Sequence, residues 1–224
     1  MNDSTVDAGH VEVGGPPLVR ATSTATITKV AVGPMDNNSY ILRCTRSGRA
    51  LLIDAAADAP TLLPLVDGVR SILTTHSHGD HIGALAELAS ATNATTLAGA
   101  DDADAITEAT GVVIHNKVRD AEIIAVGTLD VTIVTLVGHT PGSIAAIFRD
   151  PDGSTHLFTG DSLFPGGVGN TRHDPAAFAS LMGDVQIKLF AKLPDDTHVY
   201  PGHGDDTTIG TERPNLPEWH RRGW

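Results

Sequence analysis

The chain has 224 residues, of which 41% are hydrophobic, 19% charged and 4% aromatic. This is the balance of a globular protein, and it excludes a collagen-like, coiled-coil or largely disordered chain. The 15 basic and 27 acidic residues give a formal net charge of −12, which argues against nucleic acid as a partner because a phosphate polyanion would be repelled.

Cysteine usage and apolar runs indicate the compartment. The single cysteine, Cys44, excludes an intrachain disulfide, and residues 1–10 are polar and acidic, unlike an export signal. No apolar run approaches the roughly 20 residues that a membrane-spanning helix needs. We therefore expect a cytoplasmic protein that acts on a small-molecule substrate, with no nucleic acid or membrane partner, and we leave a homodimer open.

The hydrophobic pattern predicts a mixed α/β chain with helices packed outside its strands. Residues 1–23 are expected to form a flexible N-terminal arm, and residues 24–224 a single domain without a separate C-terminal helical domain. The segment 100–109 is acidic and Ala-rich, and the chain is turn-rich after residue 201. Strands are predicted over 24–32, 39–45, 49–54, 69–74, 95–97, 131–137, 144–148, 156–158 and 198–200, and helices over 61–66, 83–89 and 176–190.

One short loop concentrates the side chains that bind metals. Residues 75–81 read Thr-His-Ser-His-Gly-Asp-His and follow a predicted strand. Imidazole nitrogens and carboxylate oxygens suit Zn²⁺, and His76 and His78, two apart in extended chain, point to the same side. With Asp80 and His81, the loop offers more ligands than one tetrahedral ion with an open position requires. This excess predicts two adjacent ions.

Three further candidate ligands follow predicted strands. His139, Asp161 and His203 each come directly after a glycine, which lets the backbone turn sharply and approach a site closely. Ligands at the carboxyl ends of several strands converge on one edge of a sheet. Each residue alone would be a weak indication, but together with the loop they predict a metal centre at that edge.

These motifs, in this order, resemble those of the metallo-β-lactamase superfamily over residues 24–210. The resemblance implies an αββα sandwich, in which two mixed sheets are flanked by helices. The segments TGDSLF at 159–164 and YPGHG at 200–204 are similar to glyoxalase II-type hydrolases. The implied ligand sets are His76, His78 and His139 for one ion and Asp80, His81 and His203 for the other, with Asp161 bridging.

The resemblance also implies a reaction. A hydroxide shared by two divalent ions would attack the carbonyl of a thioester or related ester, with Asp80 as a catalytic residue that orients it. Zinc is favoured, with iron or manganese as alternatives. Asp54 is expected to hydrogen-bond a ligand histidine, although a turn or cap role is the competing interpretation. Arg172 and His173 are candidates for lining the substrate pocket.

Departures from glyoxalase II leave the substrate open. That family has a C-terminal helical domain that grips glutathione, whereas only residues 204–224 follow His203 here, and Asn170 stands where a basic residue is usual. A lactone is one alternative substrate. A persulfide dioxygenase that holds one iron through His76, His139 and Asp161 is another reading. A non-catalytic scaffold is disfavoured, because buried ligands without a metal would be costly. The acyl group and the thiol carrier stay undecided.

Overall fold

The first of two packed β-sheets is seven-stranded in the computed structural model, which describes residues 9–223. Its strands lie in the order of the chain: β1 (Leu18–Ala21), β2 (Ala25–Val32), β3 (Asn37–Cys44), β4 (Ala50–Ile53), β5 (Val69–Thr74), β6 (Thr95–Gly99) and β7 (Asn116–Val118). Strands β1 to β4 pair antiparallel, and β4 to β7 pair parallel. The sheet is therefore mixed.

The second sheet has six strands and is also mixed. It contains β8 (Ile123–Val126), β9 (Leu129–Thr135), β10 (Ile144–Arg149), β11 (Thr155–Gly160), β14 (His198–Pro201) and β15 (Thr207–Thr208); β12 (Leu163–Phe164) and β13 (Gly167–Val168) form a separate hairpin. The order is β15-β14-β11-β10-β9-β8, and only the β11–β14 pairing is parallel within the described residues.

Helices cover the outer face of each sheet. The first sheet packs against α1 (Ala59–Leu62), α2 (Leu85–Thr92) and α3 (Ala103–Thr110), and the second against α4 (Pro175–Asp184), α5 (Ile209–Glu212) and α6 (Leu216–Arg222). Single turns of 3₁₀ helix span Leu63–Leu65, Gly79–His81 and Arg213–Asn215, and a π-helical segment, Val185–Phe190, continues α4. The predicted αββα sandwich is confirmed.

Alternation along the strands explains the layers. In β3, Ile41 packs towards the helices, whereas its neighbour Leu42 packs into the core between the sheets. Leu52 and Leu51 of β4 divide in the same way. Successive side chains of a strand point to opposite faces, so a strand that is apolar at both positions serves two cores.

Several predictions of local structure need correction. Part of the predicted flexible arm, Leu18–Ala21, is strand β1, whose Leu18 pairs with Lys29; residues 1–8 of that arm lie outside the described residues. The predicted helix over 176–190 changes from α to π after Asp184, and the stretch over 100–109, for which no element was predicted, overlaps α3. The turn-rich end contains α5 and α6. Among the described residues, no helix is long and apolar enough to cross a bilayer.

Candidate metal centre

The seven predicted ligands come together where strands of both sheets end. His76 and His78 follow β5, the 3₁₀ turn Gly79–His81 carries two more, and the other three follow β9, β11 and β14. Their ligand atoms form three overlapping groups in which all atoms lie within 4.8 Å of one another. The groups are His76, His78 and His139; His76, His81 and Asp161; and Asp80, His81 and His203.

Asp161 lies between the other ligands. Its Oδ1 is 3.3 Å from Nε2 of His81, and its Oδ2 is 3.6 Å from Nε2 of His139 and 3.5 Å from Nε2 of His203. One carboxylate therefore faces histidines of both outer groups. The sharp turn before it depends on Gly160, which has a φ of 47° and packs against Thr75 so closely that a Cβ would overlap that side chain.

Most of the histidines have their Nδ1 atoms engaged away from the centre. Nδ1 of His76 lies 3.0 Å from Thr75 Oγ1, and Nδ1 of His81 lies 2.9 Å from Asp54 Oδ2. Nδ1 of His139 lies 2.8 Å from the Asn170 carbonyl oxygen, and Nδ1 of His203 lies 2.8 Å from the Met35 carbonyl oxygen. A carbonyl or carboxylate partner requires a proton on Nδ1. The Nε2 atoms of those rings are then left for a cation.

Unpaired buried atoms test whether a cation fits. Nε2 of His76, Nε2 of His139 and Oδ1 of Asp161 are buried without a hydrogen-bond partner. An unsatisfied buried polar atom costs about 1–3 kcal/mol, and each of the three belongs to a group that could bind a cation. Imidazole nitrogens with carboxylate oxygens suit zinc, iron or manganese. The residues therefore fit a divalent metal ion.

The pKa shifts of the residues in the centre differ in direction. Burial lowers the pKa of His76, His78 and His139, which keeps these imidazoles neutral, as a metal ligand must be. Burial opposes ionisation of Asp161, but the neighbouring His203 and His81 hold the pKa of that carboxyl below its usual range. For His81, burial opposes protonation, but Asp54 raises its pKa to about 10, so a cation at its Nε2 would displace a proton.

Asp54 lies behind the candidate ligand loop and within hydrogen-bond distance of a candidate ligand histidine, His81. It is buried, its Oδ2 is 2.9 Å from His81, and it accepts hydrogen bonds from the amide and hydroxyl of Thr75 at 2.7 and 2.8 Å. Asp54 adopts a φ of 56°, a conformation that Asp tolerates better than most residues. The carboxylate thus fixes both the start of the loop and one ligand ring.

The start of β3 supports the last ligand loop, a role that sequence reasoning missed. Asn37 Nδ2 donates to Asp80 Oδ2 at 2.9 Å, and the Asn37 backbone forms a β-bridge with His203. Asn38 Nδ2 donates to the carbonyls of Pro201 and Gly204 at 3.0 and 2.9 Å. These contacts join the start of β3 to loops that are distant in sequence.

Arg172 and His173 lie at the edge of the centre. Arg172 Nη2 is 3.4 Å from Nε2 of His78, and His173 lines a cavity of about 470 Å³. Both residues have positive φ angles, 54° and 60°, a strained arrangement that is typical of functional loops. The cavity adjoins the ligands, because Phe164 in its wall has its ring 6.3 Å from that of His203. Arg222 of α6 also lines it.

The chain is similar to several known proteins. A hydroxyacylglutathione hydrolase of Rhodopseudomonas palustris (strain BisB18) is 34% identical over 171 residues, which are 75% of this chain and 62% of that protein. The crystal structure of ETHE1 from Myxococcus xanthus is 27% identical, with a TM-score of 0.72 over 86% of this chain and 84% of that one. TTHA1623 in a di-iron-bound form is 32% identical, with a TM-score of 0.65 over 83% and 96%.

The chain spans 62% of the length of the hydroxyacylglutathione hydrolase that it matches. The model of the metallo-β-lactamase superfamily matches residues 32–203, from the end of β2 to the last candidate ligand. That match covers all seven residues of the candidate centre and most of both sheets. The chain belongs to the metallo-β-lactamase superfamily.

Proposed function

We propose that the chain is a hydrolase that uses two divalent metal ions to cleave a thioester or a related ester. The observation that carries this proposal is the set of inward-facing Nε2 atoms arranged around the central carboxylate of Asp161. Ions bound there would supply a water that ionises near neutral pH and a Lewis acid for the carbonyl oxygen. Zinc is the first candidate, with iron and manganese as alternatives.

Each ligand group has a task in this proposal. His76, His78 and His139 would hold the first ion, and Asp80, His81 and His203 would hold the second, with Asp161 between the two groups. The carboxylate of Asp80 would also accept a hydrogen bond from the attacking water and so orient it. Burial opposes its ionisation, but the hydrogen bond from Asn37 lowers its pKa, so at neutral pH it is a hydrogen-bond acceptor.

The cavity beside the centre is the proposed substrate pocket. Phe164 and Val168 give it apolar surface, and His173 and Arg222 give it polar and cationic groups. Such a lining suits an acyl group or thiol carrier that has an apolar body and an anionic end. Arg172, beside His78, is the proposed contact for substrate atoms nearest the ions.

The relatives support the hydrolase without fixing its substrate. The matched R. palustris protein is named a hydroxyacylglutathione hydrolase, and TTHA1623 was crystallised in a di-iron-bound form. Because this chain covers 62% of the hydrolase, its thiol carrier is left open.

One alternative has its own support. A persulfide dioxygenase would use one iron held by His76, His139 and Asp161, and Nε2 of His139 lies 3.6 Å from Oδ2 of Asp161. The structural similarity to ETHE1 favours this candidate. It would differ from the hydrolase in metal count, in the need for iron and in the consumption of oxygen.

A substrate panel with metal analysis tests the proposal. The purified protein would be incubated with acyl-thioesters of several thiols, with a lactone and with glutathione persulfide. Oxygen consumption would be followed with an oxygen electrode. We expect thiol release from a thioester that disappears with a chelator, returns with zinc or manganese, and is lost in His78→Ala. The matched control is His198→Ala, a partly buried histidine of β14 outside the candidate centre. Oxygen uptake with one iron per chain would favour the dioxygenase, and lactone cleavage alone would contradict the thioester assignment.

A further inference from the structure

Asp102 is a buried carboxylate that no part of the proposed chemistry uses. It lies between β6 and α3 and is 1% exposed. Its two oxygens accept three hydrogen bonds: from the Ser77 amide at 2.8 Å, the Thr140 hydroxyl at 2.6 Å and the Gly142 amide at 2.7 Å. These donors compensate the charge of a carboxylate.

The three donors belong to two different ligand loops. Ser77 stands between His76 and His78, and Thr140 directly follows His139. Asp102 therefore ties together the two loops that supply all three histidines of one candidate ligand group. The amide of Ile144 also donates to the carbonyl of Thr75, so the backbones of the two loops are joined a second time.

Close packing leaves this junction little freedom. A Cβ on Gly142 would lie 2.2 Å from the Asp102 amide nitrogen, and a Cβ on Gly99 would lie 1.9 Å from the Gly142 carbonyl oxygen. The loop of His139 thus rests directly on the backbone at the end of β6. Only glycine at both positions permits that approach.

We propose that Asp102 is a positioning residue that holds the His76–His78 and His139 loops in register, so that these three histidines bind their ion. The inference rests on the proposed metal centre. The other group has separate support, because Asp54 orients His81 and Asn37 contacts Asp80. Loss of the Asp102 carboxylate should therefore weaken binding of the ion held by His76, His78 and His139 more than binding of the other ion.

Asp102→Asn is the informative substitution. An asparagine has one oxygen and one amide nitrogen, and that nitrogen would face either the Gly142 amide or the donors from Ser77 and Thr140. At least one hydrogen bond between the loops is lost, while side-chain volume is nearly unchanged. Substitution of groups that orient metal ligands typically lowers metal affinity about 10–100-fold.

The test measures zinc affinity by competition with a chromophoric chelator in two single-site backgrounds. His203→Ala removes one ligand of the second group, and His78→Ala removes one ligand of the first. We expect Asp102→Asn to weaken zinc binding about 10–100-fold in the His203→Ala background, and by much less in the His78→Ala background. Equal affinity in the first background, or equal loss in both, would overturn the inference.

Two more variants separate positioning from folding. Asp150→Asn is the matched control, because Asp150 is also buried and also accepts hydrogen bonds, from Thr22 and Thr24, but outside the ligand loops. It should lower the unfolding midpoint and leave zinc affinity unchanged; weakening equal to that in Asp102→Asn would contradict a positioning role. If Asp102→Asn does not fold, Thr140→Val removes one of the three hydrogen bonds and should reproduce the selective loss in smaller measure. Unchanged affinity in that variant would then overturn the inference.

The failure of this inference can be told from the failure of the proposed function. An unsubstituted chain that binds no zinc, iron or manganese would overturn the metal centre and this inference together. A chain that binds two ions and loses neither selectively in Asp102→Asn would overturn the role of Asp102 alone.

Discussion

Asp54 Oδ2 lies 2.9 Å from Nδ1 of His81, and both side chains are almost completely buried. The two residues follow different strands of one sheet: Asp54 comes directly after β4, and His81 closes the loop after β5. Because β4 and β5 are parallel neighbours, their carboxyl ends meet at the same edge. The sheet therefore places the carboxylate behind the ligand ring and leaves Nε2 facing the centre.

Substitution of Asp54 should loosen that ring. Asp54→Asn removes the negative charge that makes Nδ1 of His81 a donor, and we expect metal affinity to fall about 10–100-fold. The control is Asp58→Asn, because Asp58 shares the left-handed backbone, with a φ of 48° against 56° for Asp54, but lies at the start of α1. Asparagine tolerates that conformation at both sites. Equal metal affinity in both variants, measured by chelator competition, would show that Asp54 does not act through His81.

Gly202 should be essential for the centre on steric grounds. A Cβ there would lie 2.2 Å from Oδ1 of Asp161 and 2.7 Å from Cε1 of His81, so Gly202→Ala must displace both ligands. We expect loss of metal and of hydrolysis while the circular dichroism spectrum is retained. The control is Gly183→Ala in α4, where a Cβ would meet nothing within 4 Å. Full metal occupancy in Gly202→Ala would refute this packing argument.

Acid sensitivity should depend on His156, a buried histidine outside the centre. Burial, with help from His198, lowers its pKa to about 4, and its nitrogens lie near the hydroxyls of Ser154 and Tyr200. The unfolded chain binds a proton near pH 6.5 and the folded chain only near pH 4, so stability is lost as pH falls through this window. The shift corresponds to about 3 kcal/mol for one group.

The measurement for His156 compares urea unfolding at pH 7 and pH 5 in the presence of a chelator. His156→Gln removes the titration, so its stability should fall less between the two values than that of the unsubstituted chain. His220→Gln, an exposed site in α6, should keep the full dependence. An identical pH dependence in all three chains would contradict the assignment.

The candidate ligand side chains could be picked out from the sequence because their signals are local, and their binding of metal stays a prediction. His76, His78, Asp80 and His81 lie within six positions, and Gly138, Gly160 and Gly202 mark the turns that carry the other three. The fold followed from the resemblance that these motifs support. Among the strands, β5 was predicted with the limits that the structure has, Val69–Thr74.

The supporting residues were not predictable, for a physical reason. Asp102 accepts hydrogen bonds from backbone amides 25 and 40 positions away, and Asn37 contacts an aspartate 43 positions away, so local sequence patterns do not reveal these contacts. Strand β1 was missed because its alternation spans only four residues. Helix α6 was missed because Pro217 breaks the usual pattern, although proline is compatible with the first turn of a helix. Burial of Trp219 against the second sheet stabilises it there.

The most direct measurement of the central claim is the ratio of metal to protein by elemental analysis, after purification without chelators and reloading with zinc or manganese. We expect a ratio near two for the unsubstituted chain, and lower ratios for His78→Ala and for Asp161→Ala, whose carboxylate faces both outer groups. A chain that retains no transition metal and takes none up would contradict the claim. An Asp161→Ala variant that keeps both metal ions and full activity would contradict the shared role of that carboxylate.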